Sequence, residues 1–359
     1  MLIDVLGQES VVASLKESLA NDRLAQTYLF TGEHQIGKTT MALALAKALL
    51  CEQPRDLDSC DRCAACRSVD TATNPDVRMI SPTGPSRMLR IAQLWPRDGV
   101  KDHPADKAML RDLHFAPVSG KRRIFIIEAA ESMNEDTANS LLKVLEEPPS
   151  YAVFILTAVS TQAVLPTILS RSQNLRFRPV AEPLIAGALI NSGVTAEKAA
   201  ILAAYAQGRP GVAMRAAASA AMMIGRAEVL SAAIDSSSGH HPIVAFKIAD
   251  DLRKASAKLV ETGPKDEDIA ARTLLSNACD IFLLWYRDLL VRKSTDGAGR
   301  VLNADRVHVI DEQIKRYTAD ELEHAVNLIQ DTRRYIGRNS NAQVATEYLL
   351  LCLLALGTL

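Results

Sequence analysis

The chain has 359 residues, enough for two or three domains and a sizeable core. Its 41 basic and 42 acidic residues leave a formal net charge of -1, which excludes a globally basic surface that would attract nucleic acid or anionic membrane. Hydrophobic residues make up 48% and aromatic residues only 4%, so helix-rich packing is expected and platforms for stacking bases are scarce.

The opening MLIDVLGQESVV has no basic segment followed by an apolar run, so no export signal is expected there. Four short apolar runs then alternate with helical patterns: Tyr28 to Phe30, Val77 to Ile80, Ile124 to Ile127 and Val153 to Leu156. Leu175 to Phe177 is a candidate fifth. The alternation predicts a mostly parallel sheet covered by helices. Ser81 to Pro104 breaks the rhythm with four prolines and two glycines, and reads as a loop or insertion with one short helix around Leu89 to Leu94. After Pro179 every pattern is helical, with a second break at SSSGHHP, 236–242. The tail YLLLCLLALGTL is too short to span a bilayer and reads as a buried terminal helix. The expected division is an α/β domain over 1–178, a small helical domain over 179–217 and a larger helical domain over 218–359. A cytoplasmic protein without membrane contact is expected.

Gly32 to Thr39, GEHQIGKT, matches G-x-x-x-x-G-K-[ST] between a strand and a helix. Such a loop closes backbone N–H groups around phosphate oxygens at a helix N-terminus. Gly32, Gly37, Lys38, Thr39 and Thr40 are therefore candidate nucleotide-binding residues, with ATP and Mg²⁺ as the expected ligands. Lys38 would reach the outer phosphates and Thr39 would coordinate Mg²⁺. His34 is expected to be solvent-exposed, and a chance match at a helix-start loop is the bland alternative.

The strand ending at Ile127 leads into Glu128-Ala129, where a nucleotide-hydrolysing protein normally has Asp-Glu. Glu128 can hold Mg²⁺ through water. Ala129 cannot orient an attacking water, so binding is expected to survive and hydrolysis to be lost. Glu131 is expected to point elsewhere, hydrolysis through it or another base being the alternative. The next helix should be capped by Asn134, bury Ala138, Leu141, Leu142 and Leu145, and end at Pro148-Pro149.

Cys51, Cys60, Cys63 and Cys66 offer four thiolates within sixteen positions. The spacing predicts a closed, structural Zn²⁺ site, with reduced free cysteines as the alternative and an iron–sulfur cluster disfavoured. Asp56, Asp58, Asp61 and Arg62 are expected to keep this knuckle exposed. Cys279 and Cys352 lie alone in apolar helices and read as small buried hydrophobes.

Taken together, VLGQESVVASLKESLANDRLAQTYLFTGEHQIGKTT, the four-cysteine insertion, TANSLLKVLEEPP and PTILSRSQNLRF resemble the bacterial clamp-loader subunits of the AAA+ superfamily, over residues 1–215. WYRDLL (Trp285 to Leu290) and NAQVATEYLLL (Asn341 to Leu351) look like the helical collar of one non-motor member. The resemblance implies an AAA+ domain, a helical lid and an oligomerising collar in a subunit of the DNA polymerase III holoenzyme. It implies no independent catalytic site in this chain. Gamma/tau and delta subunits, the sliding clamp and primer–template DNA are the implied partners.

Motor subunits of the family carry an intact Asp-Glu pair and a lid arginine in a GS-x-R-D-like stretch. Here the lid reads GRPGVA, with Gly211 at that position and Arg209 two residues earlier, and the sensor strand end reads LTAVS, Leu156 to Ser160. Ser170-Arg171-Ser172 resembles the family's Ser-Arg-Cys motif, which implies that Arg171 completes a neighbour's ATP site as a trans arginine finger. An ordinary surface arginine is the alternative. The resulting expectation is a non-hydrolysing stator. An active gamma/tau-type motor and a stand-alone ATP-dependent enzyme such as a small-molecule kinase are the competing readings. Lys121, Arg122 and Arg123 are local basic groups that a composite DNA channel could use, solvated surface charge being the alternative.

Overall fold

The computed structural model describes residues 1–83, 88–95, 109–119, 121–238, 243–257, 267–337 and 341–356. Much of the interrupted segment after Ser81, including its prolines 85, 96 and 104, and the end of the 236–242 break lie outside the described residues.

Five parallel strands form one sheet: β1 (Thr27–Thr31), β2 (Val77–Ile80), β3 (Arg123–Ile127), β4 (Ala152–Ala158) and β5 (Gln173–Arg176), in the order β2-β3-β4-β1-β5. The three central strands are buried at every position, as expected of strands covered on both faces, whereas the edge strand β2 is half-exposed and β5 is exposed except at Leu175. Alternate side chains feed two cores. Tyr28, Phe30, Ile124, Ile126, Val153 and Ile155 pack with α1 (Glu9–Ala20) and α2 (Lys38–Leu50). Leu29, Phe125, Ile127, Phe154 and Leu156 face the opposite side, where α5 (Glu135–Glu146) lies. Before it come α3 (Ala64–Asp70) and the short α4 (Ile91–Leu94), which matches the single helix expected in the interrupted segment.

Helix α5 (Glu135–Glu146) begins as its sequence predicts. The Asn134 side chain accepts a hydrogen bond from the Thr137 N–H at 2.9 Å, and Ala138, Leu141 and Leu145 are buried while Leu142 is half-buried. Then come α6 (Pro166–Leu169), α7 (Glu182–Asn191), α8 (Ala196–Ala206) and α9 (Pro210–Ala218). No strand follows β5 among the described residues.

The chain forms two compact units. One is Met1–Asn191 with Ala206–Ala213, and the other is Ser192–Tyr205 with Met214–Leu359. The second contains α10 (Ala220–Ser236), α11 (Val244–Ala257), the 28-residue α12 (Glu267–Ser294), α13 (Val307–Gln313), α14 (Ala319–Gly337) and α15 (Ala342–Ala355). Its core holds Phe282, Trp285, Tyr286, Leu289 and four leucines of α15. The polar tips in WYRDLL are all paired. Trp285 Nε1 donates to Ser237 Oγ at 3.0 Å, the Tyr286 hydroxyl bonds Ser236 Oγ at 3.1 Å, and buried Asp288 accepts from the N–H groups of Leu302 and Asn303. Cys279 is buried as expected, but Cys352 is only half-buried because it lies toward the exposed Tyr348. Among the described residues no helix is long and apolar enough to cross a membrane.

Candidate functional site

The carboxyl ends of β1, β3 and β4 converge, the place where open parallel sheets bind ligands. The loop after β1 hangs there by the Gly32 N–H, which donates to Ala158 O at 3.1 Å. Gly32 has φ +152°, and a β-carbon on it would lie 2.9 Å from the Phe177 carbonyl oxygen, so this close crossing of chain segments requires glycine. Gly37, with φ +107°, turns the loop into α2, whose first N–H groups are then available to an anion. Lys38 Nζ donates to the carbonyl oxygens of Gly32 and, at 2.7 Å, of Glu33. Its ammonium is thus folded onto its own loop. Burial lowers its pKa below the ordinary 10.5, opposed by the charges of Glu131, Glu33 and Glu128. His34 is exposed, and Thr40 is exposed in the first turn of α2.

Thr39 and Glu128, eighty-nine positions apart, are in direct contact, Thr39 Oγ1 donating to Glu128 Oε1. The other carboxylate oxygen accepts from Ser81 Oγ. Ser81, read from sequence only as the start of a loop, therefore holds Glu128 in place. A cation between a hydroxyl and a carboxylate at a phosphate loop suits Mg²⁺ chemistry, and Thr39 and Glu128 are the residues that would hold it.

At the next position, Ala129 presents only its main-chain N–H, which donates to Thr157 Oγ1 at 3.1 Å. Glu131 lies in a tight helical turn, Ala130–Ser132, that Ala129 starts at φ +51°. Its charge favours the protonated form of Lys38, and its Oε2 is buried without a hydrogen-bond partner among the described residues. Gly211, in the first turn of α9, donates its N–H to Gln35 O of the phosphate loop at 3.0 Å. A β-carbon there would be 3.0 Å from that oxygen and 3.1 Å from Gln35 Cβ. Arg209 turns back, Nε donating to Ala206 O at 3.1 Å.

Sequence inspection missed Gln8. It is 2% exposed and clamps the backbone of Arg178, donating to its carbonyl at 2.8 Å and accepting from its N–H at 3.1 Å. The partners are 170 positions apart, so no local pattern announces them.

The four clustered cysteines bring their sulfurs within 4.8 Å of one another, with Cys51 and Cys63 at 4.0 Å. A tetrahedron of Zn–S bonds has S···S edges of about 3.8 Å, which this cluster fits. Three N–H groups, of Cys60, Cys63 and Cys66, point at the sulfurs of Cys51, Cys60 and Cys63 at 3.3–3.4 Å, an arrangement that favours thiolates. Burial and the neighbouring thiols of Cys63 and Cys51 push Cys66 up, a penalty that a bound cation would reverse. A structural Zn²⁺ would be held by these four residues. The surrounding aspartates are not all solvated as expected. Asp58 is 3% exposed and accepts from Leu2 N–H at 2.8 Å and Ile3 N–H at 3.3 Å, while Asp61 pairs with Lys47 of α2 at 2.9 Å. Both are consumed in fastening the knuckle to the first unit's core.

Arg171, two residues past α6, is partly exposed and pairs with Glu146 Oε1 at 2.6 Å. Among the basic groups considered for DNA, Arg123 is excluded. It is 3% exposed and buried against Asp76 at 3.3 Å and the carbonyl oxygen of Ala116 at 3.1 Å, because β3 opens with it inside the sheet.

Residues 7–181 match the family described as DNA polymerase III, delta subunit. The DNA polymerase III delta-prime subunit of Bacillus subtilis (strain 168) is 32% identical over 196 residues, 55% of each chain. The tau subunit of the same organism is 32% identical over 195 residues, 54% of this chain and 32% of its own. The gamma/tau subunit of Mycobacterium tuberculosis (strain ATCC 25618 / H37Rv) is 35% identical over 176 residues, 49% of this chain and 28% of its own. The chain thus spans about half the length of the first of these relatives and about a third or less of the other two. Over residues 7–181 the chain is thus similar to subunits of DNA polymerase III, with delta-prime and gamma/tau members both matching it.

Proposed function

We propose that the chain is a delta-prime-type subunit of a DNA polymerase III clamp loader. It binds ATP with Mg²⁺ through Gly32, Gly37, Lys38, Thr39, Thr40 and Glu128 without hydrolysing it. It acts as a stator that gives Arg171 to the ATP site of a neighbouring gamma/tau motor. Delta, the sliding clamp and primed DNA are the further partners, and DNA is met through the assembly. The lid over 179–217 and the collar over 218–359 serve assembly, with Zn²⁺ at Cys51, Cys60, Cys63 and Cys66 as a structural element.

One observation carries this reading. At Ala129 and Gly211, where motors of the family carry a glutamate and an arginine, this chain has no polar side chain, and both main-chain N–H groups are already bonded within the chain. A phosphoryl-transfer site without a water-orienting side chain retains binding and loses rate. The test is Arg171→Ala in the reconstituted loader. DNA-stimulated ATPase should fall at least about tenfold, since an arginine on the transferring phosphoryl group is worth several orders of magnitude. Unchanged ATPase in a complex that still assembles would refute the role. The partnerless Oε2 of Glu131 beside Lys38 favours a second reading, an active motor using a displaced base.

A further inference from the structure

We infer that Glu146 is a positioning residue for Arg171, fixing its guanidinium in the orientation presented to the neighbouring subunit. The inference rests on the proposed trans role of Arg171. An arginine on a surface turn has several rotatable bonds, and freezing them at the moment of reaction lowers the rate. Here the freezing is done in advance. Arg171 Nη1 donates to Thr167 O at 3.0 Å and to Ser170 Oγ at 3.3 Å, while Nη2 donates to Glu146 Oε1 at 2.6 Å. The first two acceptors lie on the arginine's own turn. Glu146 is the one that comes from a different element.

Glu146 is itself well anchored. It is the last residue of α5, and three residues later the Pro149 carbonyl accepts from the Ala152 N–H at 2.8 Å as the chain enters β4. The carboxylate therefore projects from the end of a core-packed helix. Arg171 and Glu146 are 34% and 48% exposed, so the pair is accessible to a neighbour. Three contacts leave at least two of the five guanidinium N–H groups for a phosphate. Glu147, one residue on, is exposed and makes no ion pair among the described residues, which makes it an internal control.

The experiment is steady-state ATPase of the reconstituted loader carrying Glu146→Ala, Glu146→Gln, Glu147→Ala or Arg171→Ala in this chain. Releasing one long side chain from a fixed rotamer corresponds to about a two- to tenfold effect. Glu146→Ala is expected to lower kcat by that factor with KM for ATP unchanged. Glu146→Gln, which keeps an oxygen acceptor, should recover part of it, and Glu147→Ala should match the unaltered complex. Melting of the isolated subunit should be unchanged in all four, since an exposed ion pair adds little stability. If Arg171→Ala lowers kcat and Glu146→Ala does not, or if Glu146→Ala raises it, the positioning role is wrong while the finger stands. If Arg171→Ala is silent, the finger is wrong and the positioning role falls with it.

Discussion

Two sets of positions near the carboxyl ends of β1 and β3 are built differently. At the phosphate-loop positions, side chains are gathered for ligands: Lys38 over the loop and Thr39 against a Glu128 braced by Ser81. At two neighbouring positions, Ala129 and Gly211 offer only main-chain N–H groups, already committed to Thr157 and Gln35. Holding phosphates needs loop geometry and charge, whereas hydrolysing them needs a side chain on the attacking water. The proposed stator role rests on this contrast.

The largest expected effect tests the ligand-holding positions. Lys38→Ala should weaken nucleotide binding about 10- to 150-fold, the worth of one charge-assisted hydrogen bond, in a fluorescent-nucleotide titration. The charge of Lys38 also sets a pH dependence. Its folded pKa lies below 10.5, so its attraction for phosphate is complete at lower pH and is lost as pH rises through that depressed value. Affinity should therefore begin to fall at a pH below 10.5 in the unaltered chain and stay flat there in Lys38→Ala.

Next comes the knuckle, which is fastened to the N-terminus and to α2. Asp58 holds the N–H groups of Leu2 and Ile3, and Asp61 holds Lys47 of α2. Chelation, or Cys63→Ser, should lower the melting temperature by about 5–10 °C, as expected for a few kcal/mol in a domain of this size. An unchanged melting curve after metal loss, with metal content measured on the same sample, would show that the cysteines carry no structural ion.

The smallest effect tests the committed positions. Gly211→Ala puts a β-carbon 3.0 Å from the Gln35 carbonyl oxygen, and overpacking of this kind costs about 1–3 kcal/mol. Differential scanning fluorimetry should show a lower melting temperature. An unchanged one would mean that the α9–loop contact is loose enough for a side chain.

Much of this was readable in advance, and the remainder follows a physical pattern. The strands, the Asn134 cap, the glycine loop between β1 and α2 and the cysteine cluster are local signals, fixed by neighbours a few positions away. What was not readable depends on distant partners. Asp58 sits in an aspartate-rich run that reads as solvated, yet its acceptors are used by N–H groups more than fifty positions earlier. Ser81 and Glu128 are 47 positions apart, and Gln8 and Arg178 are 170 apart. Arg123 looked like surface charge until Asp76 supplied a buried partner, and the left-handed turn at Ala129 is not announced by a glycine.

The most direct measurement is ATP turnover in a reconstituted loader in which only this chain keeps its phosphate-loop lysine, the motor subunits carrying lysine-to-alanine changes, with bound nucleotide quantified in the same sample. A stator should retain nucleotide and show no turnover above background. Turnover that disappears on Lys38→Ala would contradict that, and its further loss on Glu131→Gln would identify the base that replaces Ala129.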